Sequence, residues 1–214
     1  MSVLYLIGAI IICVSLFFNR NKKINYLLVG VFLLLQWVFT IYEYNHQNIV
    51  EFEYFLPDAL GILLLFTISI IAVPAFYHSY VFFSKIEDNP RNRAMYYASM
   101  VVLIFALSLE YLSNHIAVVW VFVELTTLSA SALIYHRRNL RTLEGTWKYI
   151  FVCSISITFV FIGILFLSIA VQEVGDNNLT FTSLIRRASE LDSFWLKLAF
   201  IFIFTGYTAK LGLV

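Results

Sequence analysis

Residues 58–83 read DALGILLLFTISIIAVPAFYHSYVFF, and after the opening Asp58 the stretch carries no Asp, Glu, Lys or Arg. A helix crosses the hydrocarbon core of a bilayer with about 20 mostly apolar residues, and in lipid it must satisfy its own backbone polar groups. This stretch therefore reads as a spanning helix. Runs of the same kind lie on both sides of it, at residues 3–18, 26–42, 95–112, 115–135, 147–171 and 194–214. The expected fold is all-α, a polytopic transmembrane bundle of about seven spanning helices in a single domain, 1–214. Residues 1–112 supply the first four helices and 113–214 the last three.

Composition agrees with that reading. Of the 214 residues 61% are hydrophobic and 18% aromatic, the mean hydropathy is +0.86, and only 13% are charged, against about 25% in ordinary soluble domains. A soluble globule is excluded. The net charge of +1 matters less than where the charges sit. Lys and Arg gather in the first connection (Arg20, Lys22, Lys23), the third (Lys85, Arg91, Arg93) and the fifth (Arg137, Arg138, Arg141), whereas the second holds Glu43, Glu51, Glu53 and Asp58 without a Lys or Arg. The positive-inside rule puts the basic connections in the cytoplasm and the N-terminus outside. Arg186 and Arg187 in the sixth connection dissent, but long loops cross largely regardless of charge. Within that loop, 181–191 is amphipathic enough for a short surface helix. The basic residues near the N-terminus follow the first apolar run, the reverse of a signal peptide, so that run is read as a retained helix. Cys13 and Cys153 lie inside apolar runs and read as small buried hydrophobes. No basic run interleaved with aromatics points to nucleic acid. The chain stops in an apolar run without a polar cap, which reads as truncation in or after the seventh helix.

An ionisable residue deep in a membrane is costly and so marks function by default. Glu124, in WVFVELTTLSASALI, lies about 15 to 20 Å deep from the basic cluster at Arg137, counting 1.5 Å per residue. Thr127 and Ser131 follow at i+3 and i+7, giving one stripe of a carboxylate and two hydroxyls. The competing reading is a protonated Glu that glues helices together. Lys210 is the second position, about 24 Å from the outer end of its helix. Its flanking Gly206 and Gly212 would permit close helix approach or local unwinding, while the plainer alternative is a Lys that snorkels to the interface. Should Glu124 and Lys210 approach within about 4 Å, their attraction would be on the order of 4 kcal/mol at an effective dielectric near 20. Making and breaking such a pair gates a proton. Lys148, beside Trp147 and Tyr149, reads either as a proton donor at the mouth of the sixth helix or as an interfacial anchor. Glu110 reads as interfacial. His78, one turn after Pro74, is a relay candidate or a solvated histidine, and His46, His115 and His136 read as loop or interface residues. No nucleotide loop, flavin motif, nucleophile elbow or metal-ligand spacing occurs, so the chain is expected to hold no cofactor or metal of its own.

Glu124 with the following LTTLSAS, the Trp147-Lys148-Tyr149 triplet and the final Lys210-Leu211-Gly212-Leu213 resemble the antiporter-like proton-conducting subunits of respiratory NADH-quinone oxidoreductase, multisubunit cation/proton antiporters and membrane-bound hydrogenases. The run LEGTWKYIFVCS, residues 143–154, is most similar to the hydrogenase-4 and formate hydrogenlyase branch, and LPDALG at 56–61 resembles the start of that family's third helix. The resemblance runs along the whole chain and is strongest over 120–156. It implies the N-terminal half of a subunit of about fourteen helices, built from two inverted five-helix repeats. In that family a carboxylate on the fifth helix and a lysine on a broken seventh helix drive proton transfer. Carried over, these roles fall on Glu124 and Lys210, with Lys148 a weaker candidate. The implied subunit moves protons, or sodium ions, across the cell inner membrane, while redox chemistry sits in partner membrane and peripheral subunits. A cation/proton antiporter subunit without a redox partner and a structural scaffold are the alternatives.

Overall fold

A computed structural model describes residues 1–51, 54–85, 89–175 and 177–212. Glu53, counted above with the acidic loop, and Leu213 and Val214 lie outside the described residues. The chain forms α1 (Ser2–Phe18), α2 (Lys22–Asn45), α3 (Ala59–Lys85), α4 (Pro90–Tyr111), α5 (Ile116–Ile134), a 3-10 turn (Tyr135–Arg137), α6 (Leu140–Glu173), the short α7 (Phe181–Arg187) and α8 (Ser193–Leu211). Six of these, α2 to α6 and α8, are long and apolar enough to cross a membrane. The 17 residues of α1 sit at the short end of what spans. Among the described residues these are seven apolar helices and one short helix at 181–187, inside the 181–191 stretch read from the sequence as a surface helix.

Several helices begin before their apolar run because a polar cap starts them in water. The Asn21 side chain accepts from the Lys23 N–H and that of Asn89 from the Arg91 N–H, with Pro90 at the first helical position. Asn139 and Thr142 exchange hydrogen bonds in a capping box that opens α6. Each cap satisfies a backbone donor that the first turn leaves free.

The bundle is inverted relative to a soluble protein. Large apolar side chains such as Leu4, Leu34, Leu63, Phe151 and Phe200 are exposed around its sides, whereas Gln36, Thr40, Ser69 and Ser108 are fully buried. In lipid, apolar surface needs no covering, and packing and interhelical hydrogen bonds hold helices together. At the centre of α1 to α4 the Tyr5 hydroxyl donates to Gln36 Oε1. Gln36 Nε2 donates to Ser69 Oγ at 2.9 Å and to Ser108 Oγ at 3.0 Å, and Thr40 Oγ1 meets Ser69 Oγ at 2.8 Å. One glutamine thereby ties four helices. A large apolar core surrounds this cluster, and a smaller one forms between α5, α6 and α8.

The two ends of the bundle differ in charge. At one end Lys22 Nζ donates to Phe83 O (2.8 Å), the Arg93 guanidinium to Arg20 O (3.3 Å) and the Arg138 guanidinium to Met95 Sδ (3.1 Å), so the three basic connections lie together. At the other end the Met1 ammonium pairs with Glu51 at 2.5 Å, and the short turn between α4 and α5 is stitched to the 54–56 segment and to the loop before α7 through Leu56 N to Leu112 O, Asn114 N to Tyr54 O and Phe181 N to Asn114 O.

Candidate functional site: the Lys210 amine between α5, α6 and α8

Helix α5 opens on His115, whose Nδ1 accepts from the Ala117 N–H at 3.3 Å, and it is pinned to α6 by the Trp120 indole, which donates to Ile157 O at 3.0 Å. Its hydroxyls fold back on their own helix: Thr126 and Thr127 donate to Val123 O at 2.7 and 3.1 Å, and Ser131 donates to Leu128 O at 2.7 Å. This is the ordinary accommodation of Ser and Thr within a helix. It uses the hydroxyl hydrogens and leaves oxygen lone pairs free to accept. Thr127 and Ser131 are buried.

Helix α8 is brought in by two glycines. A Cβ on Gly206 would stand 2.5 Å from Ser156 O, and one on Gly163 would stand 2.9 Å from Ala199 O, so each helix presses its backbone into the other's glycine. Of the two readings for the glycines near Lys210, close approach describes Gly206. Gly212 does something different: with φ +75 it ends the helix in the left-handed region that glycine enters without strain. Lys210 thus lies in the last turn of α8, where the negative end of the helix dipole favours a cation.

The Lys210 ammonium donates to Thr127 Oγ1 at 2.6 Å and to Val123 O at 2.8 Å. It does not make a contact ion pair with Glu124; among the described residues the pairs within 4.0 Å are Met1 with Glu51 and Lys148 with Glu144. The close pairing considered from the sequence is replaced by a hydroxyl and a carbonyl about a turn apart on α5. The two charges still act on each other, Glu110 and Cys153 act on Lys210 as well, and Tyr207 interacts with Glu110. One carboxyl oxygen of Glu124, Oε2, is buried without a partner. Glu124 and Glu110 thus act on Lys210 through their field and not through a contact. Glu110 is half-buried near the end of α4, where its place in sequence suggested an interface.

Lys148 stands elsewhere. Its side chain is exposed and pairs with Glu144 at 2.5 Å. With 34 residues, α6 is about 51 Å long against a hydrocarbon core of about 30 Å, and eight residues from its start Lys148 sits near the boundary. His78 is exposed on α3, and His46 stacks on Tyr42 at 4.0 Å. Both cysteines are free thiols, Cys153 buried and Cys13 half-buried.

An all-α bundle whose outer surface is apolar and whose interior holds amide, hydroxyl and amine groups defines a multi-pass membrane protein. Comparison with known proteins specifies the kind. The chain is 30% identical over 168 residues to a hydrogenase-4 component F homolog of Methylacidiphilum infernorum (isolate V4), a match that takes in 75% of this chain and 35% of that protein. Its fold matches a chain of the membrane-bound sulfane sulfur reductase, an archaeal respiratory membrane complex, with a TM-score of 0.78 and 18% identity over 96% of this chain and 43% of the other. These likenesses bear out the resemblance read from the sequence, to the antiporter-like membrane subunits of respiratory-type complexes. The matched part spans about a third of the length of the curated relative. No protein-family model matches the chain.

Proposed function

We propose that this chain is part of a proton-translocating membrane subunit of a redox-driven complex in the cell inner membrane, with the redox centres in partner subunits. Residues 113–214 would begin its first proton-conducting repeat, and Glu124 and Lys210 would be the groups that take up and release protons. The observation carrying the proposal is the Lys210 amine, which sits inside an apolar span and donates to Thr127 Oγ1 and Val123 O rather than to a counter-ion. An amine held by neutral acceptors can lose its proton without stranding a paired carboxylate, and the field of Glu124 would modulate that loss. The relatives' descriptions, a hydrogenase-4 component and a respiratory membrane complex, supply the reading of the partners. Lys148, paired with Glu144 at the rim, takes the lesser part of an anchor.

The test uses the full-length protein in its complex, in sealed vesicles with a pH-sensitive dye. Glu124→Gln and Lys210→Ala are each expected to abolish redox-driven pumping while assembly and electron transfer persist. Unchanged pumping would leave both residues as helix packing and the subunit as a scaffold.

A further inference from the structure

The end of the bundle opposite the basic connections holds a cavity of about 340 Å³ between the start of α3, the α4–α5 turn and α7. At about 30 Å³ per water this is about eleven water volumes, room enough for a lipid headgroup. One side of the cavity is polar, with Asp58, Ser113, Asn114 and Thr182, and the other is apolar, with Leu60, Leu64, Phe181 and Ile185. The polar side is held by backbone: Leu56 N donates to Leu112 O, Asn114 N to Tyr54 O and Phe181 N to Asn114 O. A Cβ on Gly61 would collide with Tyr111 O, so α3 starts in backbone contact with the end of α4. The polar atoms left over are acceptors. Asp58 Oδ1 accepts from the Gly61 N–H at 2.7 Å, as an N-cap does, which leaves the second oxygen of an exposed carboxylate. Among the described residues no cation lies within 4.0 Å of it. Ser113 Oγ is buried without a partner, and Thr182 Oγ1, which accepts from Asn114 Nδ2 at 3.2 Å, keeps a further lone pair. None of the described residues lining the cavity is Lys or Arg, so an anion alone would meet a like charge there. A cation carrying several N–H donors would meet acceptors.

We propose that this cavity binds the primary ammonium of a phosphatidylethanolamine, with Asp58 as its counter-charge and the Ser113 and Thr182 hydroxyls as further acceptors. The acyl chains then run down the flank of α3 over Leu60 and Leu64. Depth favours a lipid as the occupant: Asp58 is the last polar residue before the apolar span of α3, which is the level of the headgroups. The apolar side opens outward, because Leu60 and Ile185 are exposed. A primary ammonium brings an N–H for each of the three acceptors. The quaternary ammonium of phosphatidylcholine brings none and is held by aromatic cages instead, and the head of phosphatidylglycerol sets only negative charge beside Asp58. The site therefore selects among lipids of one size by the chemistry of the amine.

The test uses the full-length protein in its complex, in phosphatidylcholine liposomes that carry a trace of phosphatidylethanolamine with a photoactivatable group in its acyl chain near the glycerol. Peptide mass spectrometry reads which residues are labelled. Label is expected on 60–64 and 181–185, and unlabelled phosphatidylethanolamine should compete it away while added phosphatidylglycerol should not. Asp58→Asn keeps a side chain that caps α3 and removes the charge. It should weaken labelling at these residues about tenfold, the factor expected for loss of one hydrogen bond to a charged group. Competition by phosphatidylglycerol as strong as by phosphatidylethanolamine, in the unaltered protein, would reduce the occupant to ordinary surrounding lipid and overturn the proposal. Unchanged labelling of Asp58→Asn would overturn the role of the carboxylate. Absence of label at these residues would overturn the site, and a carbodiimide crosslink from Asp58 to a lysine of a partner subunit would then give the cavity to a protein side chain. None of these readouts depends on whether the complex pumps protons.

Discussion

Replacing Gln36 with Leu should be among the more damaging single changes in the first four helices, although it puts an apolar residue into a lipid-soluble bundle. Gln36 is fully buried, accepts from Tyr5 and donates to Ser69 and Ser108. Interhelical hydrogen bonds in membranes average about 0.6 kcal/mol and reach about 1.7, so the three together are worth about 2 kcal/mol. Their loss is not the whole cost. Ser69 and Ser108 keep their bonds to Leu65 O and Ile104 O at 2.7 and 2.8 Å, but the buried Tyr5 hydroxyl loses its acceptor, a penalty of about 1 to 3 kcal/mol. The expected total is about 3 to 5 kcal/mol. Adding Tyr5→Phe removes the stranded hydroxyl, so the double variant should be more stable than Gln36→Leu alone and should lie about 2 kcal/mol below the parent. Equilibrium unfolding of the full-length protein in mixed micelles, followed by tryptophan fluorescence, reads these differences. A Gln36→Leu protein within about 0.5 kcal/mol of the parent, or a double variant weaker than the single, would refute the reasoning.

Other outcomes follow from particular contacts. Gly206→Ala places a methyl 2.5 Å from Ser156 O and should destabilise the protein by about 1 to 3 kcal/mol as overpacking does, whereas Gly30→Ala, which meets nothing within 4 Å, should be neutral or gain up to about 1 kcal/mol from helix propensity; thermal unfolding in detergent compares them. His115 caps α5 just ahead of the observed span, Ile116–Arg137, and burial holds its imidazole pKa below the usual value, so the folded state favours the neutral ring that caps α5. The stabilisation is present above the ordinary histidine pKa of about 6.5 and is lost as pH falls through that value towards the folded one. Melting temperature should therefore drop in the parent relative to His115→Asn between about pH 7 and pH 5, and parallel curves would exclude this role for the cap.

The spans were legible because lipid imposes one rule along the whole chain: twenty or so apolar residues in a row must be helical. Helix starts were less so. Hydropathy marks where a helix enters lipid, while Asn21, Asn89 and Asn139 start α2, α4 and α6 in water beforehand, so α6 begins at Leu140 rather than near Trp147. The stripe of Glu124, Thr127 and Ser131 could be read from helical spacing, but its partner atom could not. Which acceptor Lys210 reaches depends on how α8 is set against α6 by Gly163 and Gly206, a three-dimensional fact. The Gln36 cluster left a trace that went unread, since Gln36, Thr40 and Glu43 recur at i, i+4 and i+7 within an apolar run and all three are buried.

The glycine seam also governs how the assembly can move. With Gly163 lodged against Ala199 and Gly206 against Ser156, neither α6 nor α8 can swivel about its own axis without driving backbone into backbone. The two travel as a tandem. Whatever displacement separates the amine from Thr127 must be taken up either in the four flexible carbons of the lysine arm or as a slide of the whole α6–α8 unit past α5. The first changes reach by a few ångströms in nanoseconds, and the second is a slow collective motion; such a coupling would let a push on α6 be felt at the amine.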